Sequence, residues 1–393
     1  ADGLEVKRFQ FVPDGLEGVV VEYVISNTSA EARRLNLTFT GMIDLMPVWL
    51  SERLGWEDGV DSFEWVDGLV VASDPNNPWS VVFGSDVNAK MVDRLGCMTT
   101  RNGNGVDASI LSSIEIAGKY AEVVRYFIAG SSESQEKAIG TFKTLKTQAS
   151  ALLENKVERM QNIAQSNELK LPDAGLSQMF RWIKYNTDWL VQEVPDQGRG
   201  VTAGIPDYPW WFGTDGAYIL QGLSSAGMHE EALSTIDIII KLSRDTNGES
   251  GKIMHEASTN GVVFNPGNLN TTPTFIHALW KVYAWTGDKR ILDYFEDVKK
   301  GIEWIESQDK DGNGYPDGAG MMEIHGLHSE MIDVVAYQYQ AYLAAAKFAE
   351  VMEDLTLAKE YEAKAMLLKD KLNSDWWVED FNSYADFRAT KDE

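Results

Sequence analysis

An aromatic run that ends in a carboxylate is the first stretch that could do chemistry. Tyr208, Trp210, Trp211 and Phe212 precede Asp215, which stands just before a predicted helix. A carboxylate can accept hydrogen bonds from two sugar hydroxyls at once, and aromatic faces pack against the C–H faces of a sugar ring. We therefore predict that these five residues bind a sugar. The alternative is that Asp215 is only the helix N-cap, a common position for Asp.

A second stretch, DKDGNGYPDG, places oxygen-bearing side chains at alternate positions. The predicted metal ligands are Asp309, Asp311, Asn313, Asp317 and the carbonyl of Tyr315. This spacing resembles the first nine positions of an EF-hand loop, so we expect a structural Ca²⁺ and no organic cofactor. The twelfth position falls on Gly320 and lacks the usual Glu, so Glu323 or a residue elsewhere would complete the shell. The alternative is a polar, glycine-rich turn without an ion.

A third stretch, GAGMMEIHGLH, carries an acid in apolar surroundings. Glu323 follows Met321 and Met322, and His325 and His328 follow it. An apolar environment raises the pKa of a carboxyl group, so Glu323 could remain protonated and serve as a general acid. The alternatives are an exposed loop acid or a calcium ligand. The histidines are expected to bind substrate hydroxyls or to pack within the loop, since no helical pair of metal-binding spacing accompanies them.

A fourth pair, His255 and Glu256, faces Thr271, Thr272 and His277 in the loop and helix that follow. These residues could hold sugar hydroxyls, or they could pin one loop to the other. Both interpretations remain open at this point.

The elements that must position these loops change type along the chain. Residues 1–130 contain short runs rich in Val, Ile, Phe and Thr between Gly, Asp and Asn clusters, which predicts a β-sandwich. Residues 131–171 form a helical linker, and residues 172–393 alternate about seven helices with long aromatic loops. The expected fold class is therefore α+β multidomain, with a β-sandwich followed by an (α/α)6 toroid that is incomplete, since a full double ring needs about twelve helices.

The composition narrows the classes of molecule that the protein is expected to bind. The net charge of −25 argues against nucleic acid, whose phosphates need a cationic surface, and fits a neutral glycan. Thirteen Trp and fourteen Tyr suit sugar binding as well as core packing. No apolar run is long enough to cross a membrane, and the start ADGLEVKRF lacks a signal-peptide stretch. The single Cys97 excludes an internal disulfide. Localisation stays open, with the cytoplasm favoured over export.

Two of these loops and the helices after them resemble a known group of enzymes. RGVTAGIPDYPWWFGTDGAYILQGL is similar to the sugar-gripping loop of the glucoamylase, glycogen-debranching (amylo-α-1,6-glucosidase) and processing-glucosidase families. GYPDGAGMMEIHGLH resembles their general-acid loop. The resemblance covers residues 150–375 and implies an α-glucosidic oligo- or polysaccharide as substrate, Asp215 as the sugar-binding carboxylate and Glu323 as the general acid of an inverting hydrolase.

Two departures from the family pattern qualify this resemblance. Thr214 stands where the families have Arg. Their catalytic base lies in later helical hairpins, so a C-terminal fragment or a second chain is expected to supply it. DGNGYPDG also resembles a loop of retaining β-glucosidases of the bile-acid type, where the two carboxylates are closer together. A sugar-binding subunit without turnover is a further alternative.

Overall fold

The computed structural model describes residues 3–92, 104–321 and 329–388, and the chain divides into two compact units. Unit 1 is Ala1–Ile163 and unit 2 is Ala164–Glu393. The division lies about thirty residues beyond the predicted end of the β domain. The reason is that the helix after the last strand packs on the sheet of unit 1.

Unit 1 contains nine strands and one long helix among its described residues. The strands are β1 Leu4–Phe11, β2 Gly18–Asn27, β3 Arg33–Ile43, β4 Ser62–Val66, β5 Leu69–Ser73, β6 Ser80–Ser85, β7 Ala89–Val92, β8 Val106–Ile116 and β9 Ala121–Ser131. The helix is α1 Gln135–Gln165.

The strands form two antiparallel sheets. One has the order β1-β2-β9-β6-β5-β4 and the other the order β3-β8-β7. Residues of alternating position point to opposite faces of a strand. In β9, Tyr126 therefore packs in a core that includes Phe83 of β6 and Ile110 of β8, so the two sheets lie face to face as a sandwich. Phe127 points to the other face of the larger sheet.

Helix α1 covers that outer face. Ala138, Phe142 and Leu145 recur at helical spacing and pack against Phe127, with the two aromatic rings edge to face at 5.9 Å. The segment predicted as a helical linker is thus, for most of its length, a packed element of unit 1.

Unit 2 contains seven α-helices and several very short strands in its described part. The helices are α2 Ala174–Trp189, α3 Gly213–Ala226, α4 His229–Thr246, α5 Thr271–Thr286, α6 Phe295–Glu306, α7 Ile332–Val351 and α8 Leu355–Asp375. The strands are β10 Val191–Val194, β11 Gly198–Val201, β12 Trp211–Phe212, β13 Glu256–Ala257, β14 Val263–Asn265, β15 Glu330–Met331, β16 Trp377–Val378, β17 Ser383–Tyr384 and β18 Phe387–Arg388.

The helices are arranged as consecutive hairpins. Helix α3 packs on α5 and α5 packs on α7, while α4, α6 and α8 each pair with the helix before them in the chain. Short connections lead from α3, α5 and α7 to their partners. Gly227 and Gly287, both at positive φ, end α3 and α5, because a left-handed residue satisfies the last carbonyls of a helix.

The long loops lie at the N-terminal ends of α3, α5 and α7 and are joined to one another. Strand β12 pairs with β13, so the loop before α3 is bonded to the loop before α5. The N–H of Leu269 donates to the carbonyl of Ala319, which links the loops before α5 and α7. Strand β15 pairs with β18 from the segment after α8. The described parts of the chemically rich loops therefore meet at one end of unit 2.

The fold class is confirmed at its coarse level: a β-rich unit precedes a helical unit. Among the residues that the structure describes, no helix is long and apolar enough to cross a membrane.

Candidate functional site

Asp215 lies in the first turn of α3. The helix N-cap is Phe212, which makes no side-chain cap hydrogen bond, so the alternative that Asp215 is itself the N-cap is wrong. Its side chain is exposed. Within the described ranges, no hydrogen bond or ion pair engages its carboxylate. A negative group is favoured near a helix N-terminus, where the macrodipole is positive. Asp215 is therefore an exposed carboxylate that remains available to a ligand.

A cavity of about 410 Å³ opens beside this carboxylate. Asp215, Phe212, Tyr218 and Thr202 belong to its wall. The wall thus combines one charged acceptor, two aromatic rings and two hydroxyls, and its volume suits a small sugar unit. This combination fits a polyhydroxylated, uncharged ligand with an apolar ring face.

The aromatic residues before α3 form a connected cluster. The ring of Tyr208 lies edge to face with those of Trp210 at 5.5 Å and Phe212 at 6.2 Å. Phe212 in turn meets the His255 ring at 5.6 Å. Tyr208 is 58% exposed, so this end of the cluster is open to solvent.

Trp211 does not belong to that open cluster, and its predicted place in the pocket wall needs correction. It is fully buried in the core of unit 2, and its indole N–H donates to the carbonyl of Gly200 at 3.4 Å. Successive residues of an extended segment point to opposite sides, so Trp211 faces inward where Phe212 faces the cavity.

Tyr218 is a cavity residue that the sequence argument missed. It stands three residues after Asp215 on α3, a spacing that puts both side chains on one face of the helix. Its hydroxyl is hydrogen-bonded to that of Tyr337 on α7. Burial, together with this contact, raises the pKa of Tyr337 above its usual range. The helical spacing from Asp215 was the available signal.

His255 and Glu256 join loops through their backbone. The carbonyl of His255 accepts from the N–H of Gly213 at 2.6 Å, and its own N–H donates to Asn265. Glu256 pairs with Phe212 across β12 and β13. The loop-pinning role is therefore present. The ring of His255 lies against Phe212 in the aromatic cluster. Its role in sugar binding remains a prediction.

The threonines at the start of α5 hold backbone and helix together. Thr272 accepts from the N–H of Ile253 at 2.9 Å, and Thr271 accepts from the hydroxyl of Thr214 at 3.2 Å. All three threonines are buried. Thr214, at the position where the resembling families have Arg, thus fastens α3 to α5 and is not part of the cavity wall. His277, further along α5, has a pKa lowered mainly by burial.

Three of the residues predicted to hold calcium are brought together in the loop after α6. Oxygens of Asp309, Asp311 and Asp317 lie within 4.8 Å of one another. Asp309 accepts hydrogen bonds from the N–H groups of Gly312 at 2.8 Å and Gly314 at 2.7 Å, which folds the loop around it. The donor set of carboxylate oxygens matches the preference of a hard cation.

Glu330 is the acid that the structure places next to this loop. It is 2% exposed and forms an antiparallel bridge with Asp317. The amide of Asn313 donates to its carboxylate, and Arg388 forms an ion pair with it at 3.3 Å. Burial raises the pKa of Glu330. The sequence offered no spacing signal for it, since it lies ten residues beyond the twelfth loop position.

The predicted general acid Glu323 and the predicted substrate-binding His325 lie outside the described residues, as does His328. Their roles remain predictions.

Comparison with known proteins places the fold. Neither a family model nor a curated protein matches the chain. A bacterial glucoamylase complexed with acarbose is similar in structure, with a TM-score of 0.58 at 14% identity over 94% of this chain and 55% of the glucoamylase. A putative kojibiose phosphorylase from the human microbiome has a TM-score of 0.58 at 9% identity, over 98% of this chain and 57% of its own.

These comparisons confirm the resemblance to glucoamylase-type enzymes at the level of the fold. The identities are too low to carry function by themselves, because one fold hosts many chemistries. The chain spans little more than half the length of either structure.

Proposed function

We propose that unit 2 is the sugar-binding part of a glycoside hydrolase with an (α/α)6 toroid, acting on α-glucosidic linkages of oligo- or polysaccharides. Asp215 holds hydroxyls of the terminal sugar, and Phe212 with Tyr218 forms the wall against which the sugar ring packs. Tyr208, Trp210 and His255 extend the aromatic surface outward. Glu256 and His325 complete the predicted contacts with sugar hydroxyls.

The observation that carries this proposal is the exposed Asp215 carboxylate in a cavity with aromatic walls. A buried or ion-paired carboxylate would favour a structural role. Here the carboxylate lies at the positive end of α3, where its charge is stabilised without a cationic partner. Both of its oxygens can therefore accept hydrogen bonds from ligand hydroxyls, which is the usual way in which a carboxylate recognises a sugar.

Hydrolysis requires two further groups. In the proposed inverting reaction, Glu323 protonates the leaving glycosidic oxygen while a second carboxylate activates a water molecule on the opposite face of the sugar. Such carboxylates lie roughly 6.5–9.5 Å apart, which leaves room for that water. In this proposal further helices supply the base, either from the same polypeptide or from a second chain.

The burial pattern of α2 supports packing against further helices. On α2, the polar Lys184 and Asp188 are buried, whereas the apolar Met179, Ile183 and Trp189 are about half exposed. A helix in a complete fold buries its apolar face. A second surface is a groove of about 580 Å³ between α7 and α8. Tyr337 and Tyr339 are among its lining residues. Both surfaces are suited to pack against further helices of such a ring.

The binding half of the proposal can be tested on this chain with maltose. Asp215→Asn should weaken maltose binding about 10- to 100-fold, since a hydrogen bond to a charged group contributes about 1.5–3 kcal/mol. Asp207→Asn, at an exposed acid outside the cavity wall, is the matched control and should bind as the parent chain does. Equal binding by Asp215→Asn and the parent would remove Asp215 from the site.

The catalytic half needs the complete assembly. Glu323→Gln there should abolish hydrolysis of maltose, isomaltose or aryl glucosides while the sugar still binds. Undiminished turnover would exclude Glu323 as the acid. The anomeric configuration of the first product separates the inverting reaction from a retaining β-glucosidase on the same fold.

A second candidate is a sugar-binding subunit without turnover. The supporting observation is that Asp215 is the single acid in the cavity wall formed by the described residues. Binding of maltose by this chain, with no hydrolysis after addition of any completing segment, would favour this candidate.

We also propose that Asp309, Asp311, Asn313, Asp317 and the carbonyl of Tyr315 bind Ca²⁺. Glu330 would act from outside this set by orienting the Asn313 amide through their hydrogen bond. Because strand β15, which begins at Glu330, leads directly into α7, the ion would stiffen the entry to that helix and thus the end of the unit at which the loops meet. Isothermal titration of the chelator-treated chain with CaCl₂ tests this, with Asp309→Asn expected to abolish the loop site.

A further inference from the structure

Two tyrosines from different helices meet at the wall of the sugar cavity. Tyr218 on α3 belongs to that wall, and its hydroxyl is hydrogen-bonded to the hydroxyl of Tyr337 on α7. Both helices pack on α5. In the described part of the chain, Tyr337 is not a residue of the cavity wall. Its hydroxyl therefore acts on the cavity through Tyr218.

The direction of this hydrogen bond decides what the cavity offers to a ligand. A tyrosine hydroxyl can donate one hydrogen bond and can also accept, whereas an ionised carboxylate such as Asp215 can only accept. If Tyr337 donates to Tyr218, the proton of Tyr218 remains available to a ligand. If Tyr218 donates to Tyr337, both Asp215 and Tyr218 present only acceptors to the cavity.

The surroundings of Tyr337 favour the first direction. Burial, followed by the contact with Tyr218 and the charge of Asp333, raises the pKa of Tyr337 above its usual range, so its hydroxyl keeps its proton. Asp333 stands four residues earlier, in the first turn of α7, and its carboxylate accepts from the N–H of Met321 at 2.6 Å. Tyr218, in contrast, is 48% exposed. The buried hydroxyl thus suits the donor, and the exposed hydroxyl stays open to a ligand.

We propose that Tyr337 is a positioning residue: it donates to Tyr218 and leaves the Tyr218 hydroxyl free to donate to the bound sugar. Asp215 then accepts from sugar hydroxyls, while Tyr218, three residues later on the same helix face, donates to a sugar oxygen. A site with both acceptors and a donor suits sugar hydroxyls, each of which can donate and accept. This inference rests on the proposed sugar-binding function of unit 2 and adds to it a residue outside the cavity wall.

A double-mutant cycle on the full chain, measured by calorimetric titration with maltose, tests this role. Tyr218→Phe should weaken maltose binding about tenfold, because it removes one hydrogen bond to the sugar. Tyr337→Phe should weaken binding about threefold, because it removes only the bond that orients Tyr218. The double variant should bind no more weakly than Tyr218→Phe alone, since Tyr337 acts through Tyr218.

Tyr339→Phe is the matched control on α7. Within the described ranges its hydroxyl is not bonded to Tyr218, so this variant should bind maltose as the parent chain does. Urea unfolding of every variant separates positioning from a merely structural role. A structural role of Tyr337 would lower the free energy of unfolding and would give a loss of affinity that adds to the loss in Tyr218→Phe.

Unchanged affinity in Tyr218→Phe or in Tyr337→Phe, or additive losses in the double variant, would overturn the inference. If that happens while Asp215→Asn still weakens binding, the proposed function stands and only the positioning role is lost. A parent chain that does not bind maltose, or equal binding by Asp215→Asn and the parent, would overturn the proposed sugar site and this inference with it.

Discussion

Two groups of acids among the described residues differ in the hydrogen bonds that their carboxylates accept: Asp309, Asp311 and Asp317 in the unit 2 loop, and Asp44, Asp58 and Asp61 in unit 1. In the loop, Asp309 accepts backbone N–H groups, and Lys371 contacts the loop carbonyl of Asn313. In unit 1, Asp44, Asp58 and Asp61 each have a buried oxygen without a hydrogen-bond partner among the described residues. The loop is therefore organised by hydrogen bonds to its own backbone, whereas in unit 1 burial, and then the neighbouring acids, raise the pKa of Asp61.

This difference separates carboxylates that the fold needs from carboxylates that are available to a ligand. A carboxylate that accepts N–H groups contributes to folding with or without an ion, because its removal leaves donors unsatisfied. Asp58 and Asp61 accept hydrogen bonds through their other oxygens, from the Asn104 amide and the N–H of Leu45, whereas Asp44 accepts none from the described residues. Removing Asp309 and removing Asp44 should thus have opposite consequences for the calcium-free protein.

The largest effect should come from Tyr315, which anchors the loop to the core. It is fully buried, lies edge to face with Trp376 at 5.6 Å and donates to Asp375 at 2.9 Å. Tyr315→Ala should lower the free energy of unfolding by about 3–5 kcal/mol, the cost of an aromatic cavity. Tyr315→Phe loses only the hydroxyl contact and should cost about 1 kcal/mol. Urea unfolding of both variants tests this, and equal losses would show that the ring does not anchor the loop.

The second effect sets Asp309 against Asp44 in calcium-free buffer. Asp309→Ala leaves the N–H groups of Gly312 and Gly314 without their acceptor and should destabilise unit 2 by about 2 kcal/mol. Asp44→Ala removes a charge that accepts no hydrogen bond from the described residues, so it should be neutral or stabilising. A loss of similar size in both variants would contradict the distinction.

The same contrast explains which parts could be predicted from sequence. The predicted loop ligands are neighbours in the chain, so their alternating spacing was visible, as were the β-rich and helical halves from their periodicity. Asp44 and Asp61 lie on segments that meet through a hydrogen bond from the N–H of Leu45 to the Asp61 carboxylate. No local pattern records that convergence, and Glu330 reaches the loop by a bridge that also depends on the tertiary fold.

Prediction from sequence was also limited within the candidate sugar site. Asp215 and Phe212 were found from the aromatic run. Trp211 was misplaced because a run of aromatic residues does not reveal which member of an extended pair faces the core. The alternation of side chains along β12 distinguishes Trp211 from Phe212 only once the register of β12 against β13 is known.

A smaller effect concerns pH and Asp61. Burial, followed by the charges of Asp74, Asp44 and Asp58, raises the pKa of the Asp61 carboxyl from 3.8. The folded chain therefore binds this proton more tightly than the unfolded chain. The contribution is fully present below about pH 3.8 and is lost as pH rises through the raised folded pKa. Asp61→Asn should flatten the pH dependence of calcium-free unfolding above about pH 4. An unchanged slope would show that another group titrates there.

The smallest effect on stability, and the sharpest test of the comparison, is Asp311→Asn. Asp311 is exposed and accepts from the N–H of Asn313 at 3.1 Å, a contact that the amide oxygen of Asn can keep. The free energy of unfolding without calcium should change by no more than about 0.5 kcal/mol. Calcium affinity of the loop should fall nevertheless, because a neutral amide replaces one of three clustered carboxylates. Calorimetric titration beside urea unfolding separates the two quantities. Lost stability with unchanged calcium binding would mean that Asp311 serves the fold and does not bind the ion.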